Sequence, residues 1–287
     1  MARFFTTLRS AGRVSLFVLL SAVAAQAEEI RVMTSGALAA ALRELTPVFE
    51  RASGSTLIVV SGGSVAGATD SIPDRLRRGE RADVLIMAAA GINDLTKAGR
   101  VIAGSRVDLA RSSIGLAVRK GASKPDISTV EALRRALLQA SSVAYSSSVS
   151  GVYVSTELFQ RLGIAVEMRA KSRKVEIEPV AAVVARGEAE MGFQQISELR
   201  PVAGVEVVGP LPPAVQRVTV FSAAAATGSP NPVGGRALIA FLASPNASAA
   251  IAKSGMEPIA RPSRAPGAVS PRPPAAVLDM IDFLWRP

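Results

Sequence analysis

Residues 29–50, EIRVMTSGALAAALRELTPVFE, decide the fold class. Residues 29–34 read as a strand, Ser35-Gly36 turns the chain, and Leu38, Leu42, Leu45, Val48 and Phe49 then recur at helical spacing on one face. A strand that passes into a helix through a small-residue turn is the unit of α/β architecture. The unit repeats at once: residues 56–60 read as a second strand, Ser61-Gly62-Gly63-Ser64 as a polar turn before another helical stretch, and residues 82–88 as a third strand. Both turns sit at the carboxyl ends of strands, where open parallel sheets bind ligands.

A second series begins near Ser112-Ser113. Residues 114–119 read as a strand, 129–139 as a helix and 142–145 as a strand, followed by the turn Ser146-Ser147-Ser148-Val149-Ser150-Gly151 and a helix carrying Val152, Leu158, Phe159 and Leu162. A strand near 166–170, a helix over 180–186 and a strand over 189–194 complete it. The stretches Arg78-Gly79-Glu80 and Arg186-Gly187-Glu188, 108 residues apart, each read as a helix stopped by Gly just ahead of a strand, which suggests two similar lobes. The strand at 217–222 returns to the first lobe, with helices near 234–242 and 244–253. Expected boundaries are 28–110 plus 216–260 for lobe one and 111–215 for lobe two. Pro and Arg dominate 261–274, so 261–287 reads as a tail, with a short docking helix over 277–285.

Residues 1–27 supply a basic start (Arg3, Arg9, Arg13), a short apolar run and Ala25-Gln26-Ala27, the pattern of a secretory signal peptide cleaved after Ala27. The expected compartment is the periplasm, with no stable membrane insertion. Removing the leader's three arginines from the net charge of +10 leaves +7, which favours anionic partners. One Trp, two Tyr and nine Phe form no basic-aromatic alternation, so nucleic acid is not an expected partner.

The 287 residues include no His and no Cys. That excludes a Ser-His-Asp triad, a thiol nucleophile, a disulfide and any His- or thiolate-ligated metal, and no cofactor is expected. What remains is three strand-end turns rich in Ser and Gly. Such a turn, entering a helix, offers unpaired N–H groups, the positive end of the helix dipole and hydroxyl donors, a neutral seat for an oxyanion or carboxylate.

The order of elements, with the phrases Ile30-Arg31-Val32-Met33-Thr34-Ser35-Gly36, Gly63-Ser64, Arg78-Gly79-Glu80-Arg81-Ala82-Asp83-Val84, Val149-Ser150-Gly151-Val152-Tyr153 and Arg186-Gly187-Glu188, resembles periplasmic molybdate-binding proteins of ABC transporters. The resemblance spans residues 29–259. It implies an α/β, two-lobe type II periplasmic-binding-protein fold, each lobe a mixed sheet flanked by helices, closing as a monomer on a small anionic ligand for a membrane permease. It places anion-binding groups on Ala37, on Gly63 or Ser64, on Ser150, on Ile177 and on Gln195. Ala37 stands where the family has a hydroxyl-bearing Ser, and Gln195 where it has a Tyr hydroxyl. Gln brings an acceptor that a deprotonated oxyanion cannot use, so an organic carboxylate suits the site better than molybdate.

The expected ligand set is therefore Ser35, Gly36, Ala37, Gly63, Ser64, Ser150, Gly151, Ile177, Gln194 and Gln195. Tyr153, Lys171 and Arg173 are added as carboxylate or base contacts, with Lys174 beside them. Two functions compete: a carrier for an ABC transporter, and an isomerase like the aconitate isomerases similar to this family, whose allylic proton shift needs one base and carboxylate clamps. For the second, Lys171, Tyr153 or Glu178 could be the base, and Arg173 or the Gln pair the clamp.

Overall fold

The computed structural model describes residues 28–259 apart from residue 177. The expected leader and tail, and Ile177, lie outside the described residues.

The chain opens with β1 (Glu29–Thr34), α1 (Gly36–Ser53), β2 (Thr56–Ser61), α2 (Ile72–Arg77), β3 (Val84–Ala88) and α3 (Ala89–Lys97). The long β4 (Val107–Arg119) follows, then α4 (Val130–Gln139) and β5 (Val143–Ser146). Next, α5 (Val149–Tyr153) runs through a π turn (Val154–Leu158) into α6 (Phe159–Arg161). After these come α7 (Ala165–Lys171), β6 (Ser172–Val175), α8 (Val180–Ala185), β7 (Met191–Gln195), α9 (Ile196–Leu199) and β8 (Val205–Pro210). The chain then returns through β9 (Val218–Ala225), α10 (Pro232–Leu242), α11 (Pro245–Lys253) and β10 (Glu257–Pro258).

The sheet runs β2-β1-β3-β9-β4-β7-β5-β6, with β8 and β10 also on β4. Pairing within β2-β1-β3 and within β7-β5-β6 is parallel, whereas β9 and β4 join their neighbours antiparallel. Strand β4 belongs to both halves: Val107–Ser113 faces β9, and Ile114–Val118 faces β7. This is the mixed α/β sheet flanked by helices that the sequence implied.

Period-two alternation builds a core on each face of the sheet. In β1 and β3, Ile30, Val32, Val84 and Ile86 pack with Leu38, Leu42 and Phe49 of α1, while Met33, Leu85 and Met87 turn to Ile72 and Ile92. In the other half Leu116, Val143 and Phe193 pack with Leu133, Leu158 and Met168, and Ala144 meets Val180 and Val184 on the opposite face. Among the described residues, no helix is long and apolar enough to cross a membrane.

Two expectations are corrected. The stretch near 166–170 is helix α7, not a strand; Val166 is 73% exposed and Met168 is its one buried residue, so an alternating strand face is absent there. The strand lies just beyond it, as β6. In α1, Val48 is 42% exposed, because the buried stripe turns through Ala41, Leu45 and Phe49.

The repeated helix-Gly-strand joint is real in three dimensions. Gly79 and Gly187 both have positive φ, 86° and 76°. In each joint the Gly N–H and the following Glu N–H donate to carbonyls of the last turn: Leu76 and Arg75 in one, Val184 and Val183 in the other. Both are Schellman ends, with the αL glycine at the same place in each.

The return from β9 is tied to the first half by Asp83, which is fully buried. Its carboxylate accepts from the Arg31 N–H at 2.7 Å, the Asn231 N–H at 2.6 Å and the Ser229 hydroxyl at 2.5 Å. Asp83→Ala leaves two backbone donors without an acceptor, at about 1–3 kcal/mol each. Chemical denaturation of this variant is expected to show a loss of at least about 2 kcal/mol, and Asp83→Asn, which keeps one acceptor, a smaller one.

Candidate functional site

The strand ends at the join of the two halves open onto a cleft of about 460 Å³. Ser35-Gly36 after β1 and Ser61-Gly62-Gly63 at the end of β2 line one wall, while Ser146-Ser147-Ser148 after β5 and Gln194, Ser197 and Glu198 around the β7–α9 junction line the other. The lining is thus drawn from turns in which a strand gives way to a helix.

Helix caps differ in whether the cap side chain bonds back to its own helix; Ser244 of α11 does not. Ser71, Thr129 and Asn231 each accept a hydrogen bond from their own helix, from the N–H of Asp74, Ala132 and Gly234. Ser35 and Ser148, at the N-caps of α1 and α5, make no such bond. Ser35 Oγ is buried with no hydrogen-bond partner, and so is Ser197 Oγ. A buried hydroxyl left unpaired costs about 1–3 kcal/mol, and both of these residues line the cleft. The first-turn N–H groups of the 18-residue α1 are also without intrahelical partners, which makes that end of the cleft attractive to anions.

Glu198 brings the opposite charge to the same place. A Cβ at Gly36 would overlap Glu198 Oε1, so the missing side chain of Gly36 is what lets this carboxyl from the second half rest on the start of α1. Burial pushes its pKa up to about 7; the Gln194 side-chain amide and the Gln195 backbone N–H, both donating to the carboxylate, oppose the rise without cancelling it. Part of Glu198 still reaches the cleft, but protein closes in on its other sides and desolvation dominates. Gln194 is held in turn: its Oε1 accepts from the Val180 N–H at 3.0 Å, capping α8, which leaves its NH2 for Glu198. The cleft therefore holds a carboxyl that exchanges its proton near neutrality, beside hydroxyl and amide donors.

Among the described residues, Arg43 is the one Lys or Arg lining the cleft, whereas Asp70, Glu176 and Glu178 also line it. Two of these acids have partners. Glu176 pairs with Lys174 at 2.7 Å, and Glu178 with Arg186 at 2.8 Å, an interaction that lowers the Glu178 pKa. No group of three or more acidic residues spaced to hold a metal ion occurs among the described residues.

Of the residues singled out from sequence, Ser35, Gly36, Gly63 and Gln194 line the cleft. Ala37 is buried in the core and does not line the cleft. Ser64 is buried, with Oγ facing the Ala88 N–H at 3.4 Å. Ser150 is buried beneath the third turn, 3.3 Å from Ser146 Oγ, and Gly151 is packed so closely on the Ser146 carbonyl that a Cβ would overlap it. Gln195 turns from the cleft and donates to Thr219 Oγ1 at 3.2 Å.

The added charged and aromatic contacts lie elsewhere, each held by other partners. Tyr153 is buried, donates its hydroxyl to the Val215 carbonyl at 2.6 Å and carries the Arg217 guanidinium 4.8 Å above its ring. Lys171 donates to the carbonyls of Leu138 and Ala140, closing the end of α4. Arg173 pairs with Glu188 at 2.9 Å. Sequence reasoning missed Glu198, Ser197 and Arg43. A signal for Glu198 was present: a strand end at Gln195 followed three residues later by Glu is the acidic half of a capping box, in which the Glu reaches back to the N-cap N–H.

The profile of the family described as bacterial extracellular solute-binding protein matches residues 30–257. A protein of Pseudomonas sp, named aconitate isomerase, is 44% identical over 230 residues, covering 80% of this chain and 88% of its own length. Among solved structures, the periplasmic molybdate-binding protein of Azotobacter vinelandii aligns with a TM-score of 0.62 at 20% identity, covering 79% of this chain and 98% of its own. A sulfate-binding protein of Mycobacterium tuberculosis aligns at 0.63 and 16%, covering 91% and 92%. These last two likenesses are of fold.

The raised pKa of Glu198 has a consequence for stability. The folded protein holds this proton up to about pH 7, whereas an exposed glutamate releases it near 4.5. The folded state binds more protons in that window, so the stabilisation is complete below 4.5 and is lost as pH rises through 7. The melting temperature of the wild type, taken relative to Glu198→Gln at each pH, is expected to fall across this interval. A flat difference would show that the carboxyl titrates as an ordinary glutamate.

Proposed function

The chain belongs to the bacterial extracellular solute-binding protein family, and from that premise we propose that it is a periplasmic isomerase of aconitate, binding the tricarboxylate in the interlobe cleft and shifting a proton across its allylic system. The observation that carries this reading is Glu198, a carboxyl that lines the cleft against Gly36 beside neutral donors and Arg43, and whose burial raises its pKa to about 7. The 44% identity to the Pseudomonas aconitate isomerase supports it.

The chemistry asks for little. Removing a proton from the substrate's methylene leaves an allylic carbanion whose charge spreads onto the attached carboxylates; returning a proton to the far carbon of the allyl unit moves the double bond. A base whose pKa lies near the working pH accepts and gives back that proton with the least mismatch. Glu198 fills this role, and Gln194, fixed by Val180, orients it. Charge appearing on the substrate carboxylates meets the Ser35 and Ser197 hydroxyls and the N–H groups opening α1, all in place before the reaction. Arg43 supplies a formal counter-charge. A carrier that delivers the same tricarboxylate to an ABC transporter needs the donors; turnover needs in addition a group that takes and returns the proton.

Two measurements test the proposal. trans-Aconitate at about 100-fold excess over its Kd is expected to stabilise the protein by about 2.7 kcal/mol in thermal unfolding. Ultraviolet absorbance at catalytic protein concentrations is expected to follow its conversion to the cis isomer. Glu198→Gln is expected to keep the stabilisation and lose turnover by about 10²- to 10⁴-fold. Binding without turnover by the wild type makes the protein a carrier; full turnover by the variant removes Glu198 as the base.

A further inference from the structure

We propose that Glu198 also sets the specificity of the cleft, admitting a ligand only where the atom that faces the carboxylate carries a hydrogen, and so turning away fully deprotonated tetrahedral oxyanions such as sulfate and molybdate. The inference rests on the reading of this cleft as the ligand site and adds to it which anions are refused.

Glu198 sits against Gly36 at the start of α1, the end of the cleft best suited to anions, because no side chain at Gly36 keeps it out. Its own neighbours are neutral: the Gln194 amide and the Gln195 N–H. Gln194 cannot turn an acceptor and a donor about freely, since its Oε1 is engaged by Val180. The charged groups that share the cleft come from three other segments: Arg43 from α1, Asp70 from the loop before α2, and Glu176 and Glu178 from the loop before α8. Of these, Glu176 and Glu178 are occupied by Lys174 and Arg186.

A tetrahedral oxyanion presents oxygen in every direction. Seated on the N–H groups of α1, it must bring one oxygen against Glu198, with no proton between the two; like charges meeting in a desolvated site exclude one another. A polycarboxylate differs in having a carbon side. It can lay its carboxylates on the hydroxyl and N–H donors and turn a CH2 towards Glu198. The group placed to take a proton from carbon is for the same reason the group that refuses a bare oxyanion.

Calorimetric titration with sodium sulfate tests this, since sulfate itself does not titrate above about pH 3 and any dependence on pH belongs to the protein. Wild-type protein is expected to bind sulfate on the order of tenfold or more weakly at about pH 8.5 than at about pH 5.5, where Glu198 is protonated and can donate. Glu198→Gln, neutral throughout, is expected to bind sulfate at pH 8.5 within about twofold of the wild type at pH 5.5. Sodium molybdate at pH 8.5 is expected to follow the same order between the two proteins. Equal sulfate binding by the wild type at both pH values overturns the proposal, and so does a folded variant that gains no sulfate affinity at any pH. The wild-type comparison needs no substitution, so it decides the matter even where the variant fails to fold. Aconitate turnover is read separately: loss of the sulfate effect with turnover intact removes the specificity role alone, and absence of turnover with the sulfate effect intact removes the isomerase alone.

Discussion

One strand, Val107–Arg119, pairs with both halves of the sheet, and that double membership governs the rest of the structure. Because Val107–Ser113 lies along β9 and Ile114–Val118 along β7, the two halves meet with the carboxyl ends of their parallel strands facing one shared space. Every strand that ends there must release its chain into a helix or a turn. The N–H groups that helix geometry leaves unpaired therefore collect at the join, and the cleft inherits its donors from backbone architecture before any side chain is chosen. With no His and no Cys in the chain, the donors of the cleft are backbone N–H groups, hydroxyls, amides and Arg43.

The side chains then adjust that generic site in two opposite directions. Ser35 and Ser197 add hydroxyls that have no partner within the protein. Glu198 adds a carboxyl, which an anion seat should avoid. The two coexist because the carboxyl can change its charge: burial raises its pKa to about 7, and hydrogen bonds from Gln194 and the Gln195 N–H favour the ionised form. Gly36 is the permissive element, since any side chain there would displace Glu198 from the start of α1. A residue without a side chain on one half thus allows an acid on the other half to enter the site.

The fold was legible because its signal is local and repeated. Strand-turn-helix order, the Schellman joints at Gly79 and Gly187, and the apolar stripe of α1 can each be read from a dozen residues. The misread stretch at 166–170 has an apolar Val and Met and no strong helical stripe, and α7 forms there because packing of Met168 against the core decides what propensity leaves open. The cleft was legible only in part. Turn composition pointed to Ser35, Gly36 and Gly63, but whether a side chain points into the cleft depends on register. Gln194 and Gln195 are adjacent and chemically identical, yet strand alternation sends one to Glu198 and the other to Thr219. Tyr153 and Lys171 carry reactive groups whose hydrogen bonds are made with carbonyls 62 and at least 31 residues away in the chain, partners that no local pattern announces.

The charge balance of the cleft explains why its acidic lining does not defeat its purpose. Arg186 at the end of α8 holds both Glu178 and Glu188, and with Arg173 it draws the Glu188 pKa down to about 2, so these carboxylates are ionised but already matched by cations. Lys174 pairs with Glu176 at 2.7 Å. All of these pairs are exposed, and their value lies less in stability than in cancelling the field that Glu176 and Glu178 would cast across the mouth. Once they are matched, the field inside is set by Arg43, the α1 terminus and Glu198, with Asp70 on the first wall. Besides Arg43 and Asp70, this space presents neutral donors and one acid whose charge depends on whether it holds a proton. Under the proposed isomerisation the proton leaves carbon and comes back, so the cleft returns to its starting charge at the end of every cycle.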